Sequence, residues 1–265
     1  MTNNPFETIL IDEKVNNTTI ILNRPEKKNA INEIMIKELS KIFDNVLNDD
    51  QIKVIILTGK GDTFCSGADL EYLNRIKNYS YEENLEDSNA LAELLLKIYE
   101  FPKPTIAKVN GAALAGGCGL CSVCDFIFSD QNARFGYPEV KIGFVASIVS
   151  YFLIKQIGER KARELLLTGK ILTSEEALSF GIINKIVSNN QIDDYIQNFI
   201  NDLTNNSGQS LKVTKSLFNE NLIQSPSNQI KILARINAEF RKSDDFKEGI
   251  SAFLEKRKPN WYKLS

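Results

Sequence analysis

The chain has 265 residues, 43% hydrophobic and 25% charged, a length that suits one large domain or one domain with an appendage. Its 32 Lys and Arg nearly balance 34 Asp and Glu, and a net charge of −2 leaves no basic footprint for nucleic acid. It contains no histidine, which excludes Ser-His-Asp and Cys-His catalysis and histidine-ligated zinc, and leaves acid–base work to Glu, Asp, Lys, Tyr or Cys.

No apolar run approaches the roughly 18 residues of a membrane span. Met1 to Thr8 is polar, with neither an apolar signal core nor an Arg-rich amphipathic pattern. A cytoplasmic protein without a membrane partner is therefore expected.

In chain order, Glu7 to Glu13 and Thr18 to Asn23 read as strands joined by a Lys14 to Asn17 hairpin connection. Arg24 to Ala30 reads as a loop, because Pro25 stops the strand and biases Arg24 to an extended conformation. Asn32 is the predicted cap of a helix whose apolar face runs from Ile31 through Met35, Leu39 and Phe43 to Val46. Lys53 to Thr58 is a β-branched run expected as a buried strand, and a helix is expected from Asp69 to about Ile76. The polar, acidic stretch Asn78 to Asp87 reads as a loop, solvated or at a pocket mouth, before a helix from Ser88 to Tyr99.

Thr105 to Val109 is a predicted strand leading into a Gly-rich turn and an apolar helix, followed by short strands at Phe126 to Phe128 and Ala133 to Phe135. This alternation predicts βαβ units around mostly parallel sheets. Helices are expected at Ile148 to Ile157 and Glu159 to Leu167. Another runs from Glu175 to Phe180, capped by Ser174 within Thr173-Ser174-Glu175-Glu176 and stopped by Gly181. A short strand at Ile182 to Val187 closes the first part. Composition shifts after Asn190, and amphipathic helices are expected at about Ile192 to Asn205, Gly208 to Glu220, Ser227 to Arg241 and Asp244 to Glu255. The chain is accordingly divided at 1–190 and 191–265.

Two small-residue turns stand out. Thr63 to Leu70 (TFCSGADL) and Asn110 to Leu120 (NGAALAGGCGL) both allow close backbone approach, and the second runs into a helix start with outward N–H groups. Tyr137-Pro138-Glu139 then sets one carboxylate in an apolar segment. Two N–H donors and one carboxylate suit proton transfer next to a thioester carbonyl. Cys118, Cys121 and Cys124 are spaced C-x2-C-x2-C, but on a helix they point roughly 60° to 120° apart, and they read as buried core rather than a metal site.

These segments resemble the crotonase superfamily, the enoyl-CoA hydratase/isomerase group. The resemblance also rests on LNRPEKKNA (Leu22 to Ala30), CDFIFSD (Cys124 to Asp130), FGYPEVKIG (Phe135 to Gly143), LLLTGK (Leu165 to Lys170), EEALSFGIIN (Glu175 to Asn184) and AFLEKRKPNW (Ala252 to Trp261), in family order along nearly the whole chain. It implies an α/β fold with a spiral core of repeated ββα units and a C-terminal helical trimerisation region, assembled as a homotrimer or dimer of trimers. It also implies an acyl-CoA thioester substrate with no separate cofactor, coenzyme A arriving as part of the substrate. By motif position the thioester oxygen would sit between the backbone N–H groups of Ala68 and Gly116, with Glu139 as acid/base. Lys28, Ala30, Ser66, Asp69 and Leu70 match positions along the CoA path, and Phe253 and Lys256 match positions near its adenine end.

The chain departs from the family pattern at Gly119, where hydratases carry their other glutamate, and in the bulkier run Phe144 to Ile148 after Gly143. Three readings follow: a lyase hydrating a short or branched enoyl-CoA, an isomerase using Glu139 alone, or a non-catalytic acyl-CoA-binding subunit. In appearance FCSGADLEYL and GFVASIV are similar to a methylglutaconyl-CoA hydratase-like branch of leucine catabolism. A second polar group would come from the acidic stretch Tyr79 to Asp87 or from the substrate's own distal carboxylate.

Overall fold

A computed structural model describes residues 5–76 and 78–219, together with positions 248, 252, 255, 257, 258 and 260. The predicted helices at Ser227 to Arg241 and Asp244 to Glu255 fall almost wholly outside the described residues. The chain divides into two compact units, Met1–Ile200 and Asn201–Ser265.

The first unit opens with an antiparallel pair, β1 (Ile9–Lys14) and β2 (Asn16–Leu22). The strands run closer to the tip than the predicted Lys14 to Asn17 connection: Val15 alone turns, because Asn16 takes φ 69°, a conformation Asn tolerates better than most residues. A single 3-10 turn, Pro25–Lys27, interrupts the loop before α1 (Glu33–Leu47). The Asn32 side chain caps α1 by accepting from Met35 N–H at 2.9 Å. Its buried face is Met35, Ile36, Leu39, Ile42, Phe43 and Val46.

Three times the chain then places one strand in a large sheet, turns, places a short strand in a small sheet, and enters a helix or helical turn. The first pass is β3 (Ile52–Gly59), β4 (Thr63–Cys65) and α2 (Leu70–Ile76), followed by α3 (Tyr81–Tyr99). The second is β5 (Thr105–Val109), β6 (Ala112–Leu114) and α4 (Gly116–Ser122). The third is β7 (Phe126–Ser129), β8 (Arg134–Gly136), a 3-10 turn at Pro138–Ile142 and α5 (Ser147–Thr168). With β9 (Ile171–Thr173), α6 (Ser174–Phe180) and β10 (Lys185–Ile186) added, the sheets order as β1-β2-β3-β5-β7-β10 and β4-β6-β8-β9. All pairings are parallel except β1 with β2 and β8 with β9. This is the expected α/β spiral of ββα turns.

The corners between sheets are tightly packed. A Cβ on Gly111, at φ +125°, would lie 2.0 Å from the Asp62 carbonyl oxygen, so only glycine fits. Asn110 ties that corner to the previous one, donating through Nδ2 to the Gly59 and Gly61 carbonyls at 2.7 and 2.8 Å.

Four expectations need correction. The Asn78 to Asp87 stretch is not a loop: α3 begins at Tyr81, and Ser80 and Glu83 form a reciprocal capping box. Cap chemistry outweighs polar composition there. The cap of α6 is Thr173, not Ser174; Thr173 accepts from Glu176 N–H at 3.2 Å, and Ser174 is the buried first helical residue. The turns expected around Thr63 and Ala112 contain the strands β4 and β6, and the strand β9 has no counterpart among the expected elements. Predicted Ile148 to Ile157 and Glu159 to Leu167 do meet at a break, since Gly158 has φ 77° and ψ 160° inside α5.

Beyond β10, α7 (Ile192–Thr204) and α8 (Gly208–Asn219) fall near their expected spans. In the second unit Arg257 pairs with Glu248 at 2.6 Å. Among the described residues no helix is long and apolar enough to cross a membrane.

Candidate active site

Ala68 lies just past β4, where its neighbours pair with Ile31. Ile31 N–H donates to the Gly67 carbonyl at 2.7 Å, and Asp69 N–H donates to the Ile31 carbonyl at 2.9 Å. Parallel pairing through Gly67 and Asp69 turns the Ala68 N–H to the other side. Gly67 takes φ +99°, and a Cβ there would come within 2.8 Å of Ala115 Cβ, so glycine lets the two small-residue turns touch.

Ala115 is held at φ 50° and ψ −125°, a strained conformation for a residue with a Cβ, while its N–H donates to the Gly136 carbonyl at 2.8 Å. Gly116 follows as the first residue of α4, a position whose N–H has no acceptor within the helix. Close packing fixes that helix start: a Cβ on Gly117 would lie 2.2 Å from the Cys65 carbonyl oxygen.

Glu139 sits in the 3-10 turn after Pro138 and is 7% exposed. Its Oε2 is buried and has no hydrogen-bond partner among the described residues. Burial raises the carboxyl above the ordinary glutamate range, partly offset by its own backbone N–H. Ala68, Gly116 and Glu139 line one cavity of about 250 Å3. Its walls are mostly apolar, with Ile31, Leu73, Leu91, Ile142, Phe144 and Val149 among them, and Tyr72, Asp87 and Ser66 add polar groups. No Lys or Arg lines it among the described residues. The arrangement can receive a small acyl group, offer hydrogen bonds to an oxyanion and hold a proton in a low-dielectric site.

Gly119 is buried inside α4 and does not face this cavity as open space. A Cβ at Gly119 would lie 2.3 Å from Val149 Cγ1. The first turn of α5 therefore fills the volume that a side chain at this position would need.

The predicted CoA-path residues separate. Ser66 lines the cavity, and its N–H donates to the Lys28 carbonyl at 3.1 Å. Lys28, at φ 51°, lines a second cleft of about 770 Å3. Ala30 is buried, its carbonyl accepting from Arg24 Nη1 at 2.6 Å. Asp69 is engaged by Arg24 Nη2 at 2.6 Å and by Glu71 N–H at 2.8 Å. Burial alone would raise its carboxyl, but Arg24 and the Glu71 N–H outweigh that and hold it below the ordinary range. Leu70 is the first residue of α2; Phe253 and Lys256 lie outside the described residues.

Sequence reasoning missed the Arg24 brace, Tyr72 and Val149; it offered Asp87 only within the acidic stretch Tyr79 to Asp87, one of two sources for a second polar group, and read that stretch as a loop. The available signal for Asp87 was its position one turn before Leu91 on the face that continues to Leu94, Leu95 and Ile98. All four cysteines are buried, and burial pushes the thiols of Cys65 and Cys118 up to about 12. Among the described residues no three His, Cys, Asp or Glu side chains form a metal-holding group.

The family model for enoyl-CoA hydratase/isomerase matches residues 13–263. A Thermus thermophilus protein, provisionally named an enoyl-CoA hydratase, is 38% identical over 94% of this chain and 98% of its own length. Crotonyl-CoA hydratase of Syntrophomonas wolfei is 30% identical over 97% of this chain and 98% of its own. The crystal structure of an enoyl-CoA hydratase from Shewanella pealeana superposes with a TM-score of 0.91 at 31% identity, covering 97% of each chain.

Proposed function

The chain is an enzyme of the enoyl-CoA hydratase/isomerase family, and from that premise we propose that it adds water across the double bond of a short or branched enoyl-CoA. The observation that supports this reading is that Glu139, its buried Oε2 unpartnered among the described residues, lines one small, mostly apolar cavity together with Ala68 and Gly116. The thioester oxygen takes hydrogen bonds from the two N–H groups. As water attacks the β-carbon, the double-bond electrons move toward that oxygen, and the two donors stabilise the enolate charge. Losing one such donor typically costs about 100- to 1,000-fold in rate. Glu139, its pKa raised by burial, delivers its proton to the α-carbon. Coenzyme A enters as part of the substrate, with Ser66 and Lys28 on its path and no separate cofactor.

An uncharged acyl group fits the lining better than a methylglutaconyl chain. Such a chain brings a distal carboxylate, and the described lining offers two carboxyl groups and no cation to meet it. Val149 beside Gly119 favours a second reading, enoyl-CoA isomerisation, in which Glu139 alone moves a proton between carbons.

A panel of 2-enoyl- and 3-enoyl-CoA esters, with products identified by mass, separates them. Gain of one water on 2-enoyl esters is expected. Double-bond migration in 3-enoyl esters without any hydrated product would transfer the assignment to isomerisation, and best turnover of methylglutaconyl-CoA would reverse the substrate preference.

A further inference from the structure

With Val149 filling the space beside Gly119, hydration needs another group to take the proton that water loses. The cavity holds one from a different element. Asp87, in the second turn of α3, lines the same cavity as Glu139, Ala68 and Gly116. Its carboxylate accepts a hydrogen bond from the Tyr72 hydroxyl. Tyr72, on α2, is 6% exposed and also lines the cavity. One bond from Tyr72 leaves most of the roughly four lone-pair sites of a carboxylate unused.

The surroundings hold this pair in place without neutralising it. The Arg75 guanidinium stacks 5.7 Å from the Tyr72 ring centroid, but its charge is directed to Glu33 at 3.2 Å, and Glu33 also accepts from the Tyr79 hydroxyl at 3.2 Å. Burial, with the Glu33 charge adding to it, raises the Asp87 carboxyl above its ordinary value. A higher pKa makes a carboxylate a better proton acceptor at neutral pH.

We propose that Asp87, oriented by Tyr72, is the second carboxylate of the reaction and takes a proton from the water that attacks the β-carbon. The inference rests on the hydratase reading. The water oxygen forms its bond to the β-carbon as one O–H proton passes to Asp87. The π electrons of the double bond move onto the thioester as an enolate, and Glu139 gives its proton to the α-carbon as the carbonyl re-forms. The product is the 3-hydroxyacyl thioester. Asp87 is left protonated and Glu139 ionised, and proton exchange with solvent restores both. Asp87 is thus a catalytic residue and Tyr72 a positioning residue.

The test compares the full-length protein with its Asp87→Asn and Tyr72→Phe variants in two reactions. One is hydration of crotonyl-CoA. The other is deuterium uptake from solvent at the α-carbon of butyryl-CoA, which has no double bond to hydrate and uses only Glu139 and the two N–H groups. Asp87→Asn is expected to lower hydration about 100-fold or more while deuterium uptake stays within about threefold of wild type. Tyr72→Phe is expected to lower kcat for hydration more than it raises KM. Hydration by Asp87→Asn within about threefold of wild type would overturn the proposal. So would equal loss of both reactions, which would mark Asp87 as a structural group. A wild-type protein that exchanges α-protons but forms no hydrated product would instead remove the hydratase reading, and Asp87's role with it.

Discussion

At the scale of single residues, the site depends on groups held against their solution preferences. Glu139 keeps its proton to a higher pH in the folded chain than in the unfolded one, because burial penalises the carboxylate. The folded state therefore loses stability as pH climbs from the ordinary glutamate value, about 4.3, through the raised folded value. Urea unfolding across that range is expected to show the Glu139→Gln variant gaining stability relative to wild type as pH rises; a flat or falling difference would contradict the burial argument. That Glu139, Ala68 and Gly116 would line one cavity was legible in the sequence, because motif position carries backbone geometry that residue type alone does not. Arg24 was not, since an arginine before a proline gives no hint that its guanidinium will reach Asp69, 45 residues on. Tyr72 was equally hidden, and Asp87 could be offered only as one member of the acidic stretch Tyr79 to Asp87: their contact joins α2 to α3 across 15 residues and obeys no local periodicity.

At the scale of elements, α4 and the first turn of α5 are matched surfaces. Gly119→Ala is expected to cost about 1–3 kcal/mol, because its Cβ would meet Val149 Cγ1 at 2.3 Å. Combining it with Val149→Ala should recover part of that cost, so the two changes are expected to be non-additive in chemical unfolding. Full additivity would mean that Val149 does not occupy the volume beside Gly119. Long helices with an apolar stripe, such as α1, were legible from spacing, and so was the Gly158 break. The three-residue strands β4, β6 and β9 were not, because so short a run shows no alternation and is held by sheet partners distant in sequence. The start of α3 was misread because its first two turns are largely exposed and carry no apolar period, although the Ser80-x-x-Glu83 cap was in plain view.

At the scale of the whole molecule, the two-sheet spiral follows from three similar passes of strand, corner, short strand and helix, with glycine or asparagine at the corners. Alternating strands and helices announced mostly parallel sheets; the repeated ββα unit came only with the family resemblance, and the split into two sheets only with the structure, because the corner between β3 and β4 reads locally as a loop. The amphipathic helices after residue 191 are proposed to build a trimer or dimer of trimers. Light scattering is expected to give three or six chain masses, and a stable monomer at micromolar concentration would contradict it. The central claim is that Glu139 is the acid/base of a CoA-ester enzyme. Its most direct test is turnover of crotonyl-CoA by Glu139→Gln alongside the binding of a non-reactive acyl-CoA. Loss of at least about 100-fold in kcat with binding nearly unchanged is the expected result, and retention of more than about a tenth of the wild-type rate, far above what loss of such a group allows, would contradict the account.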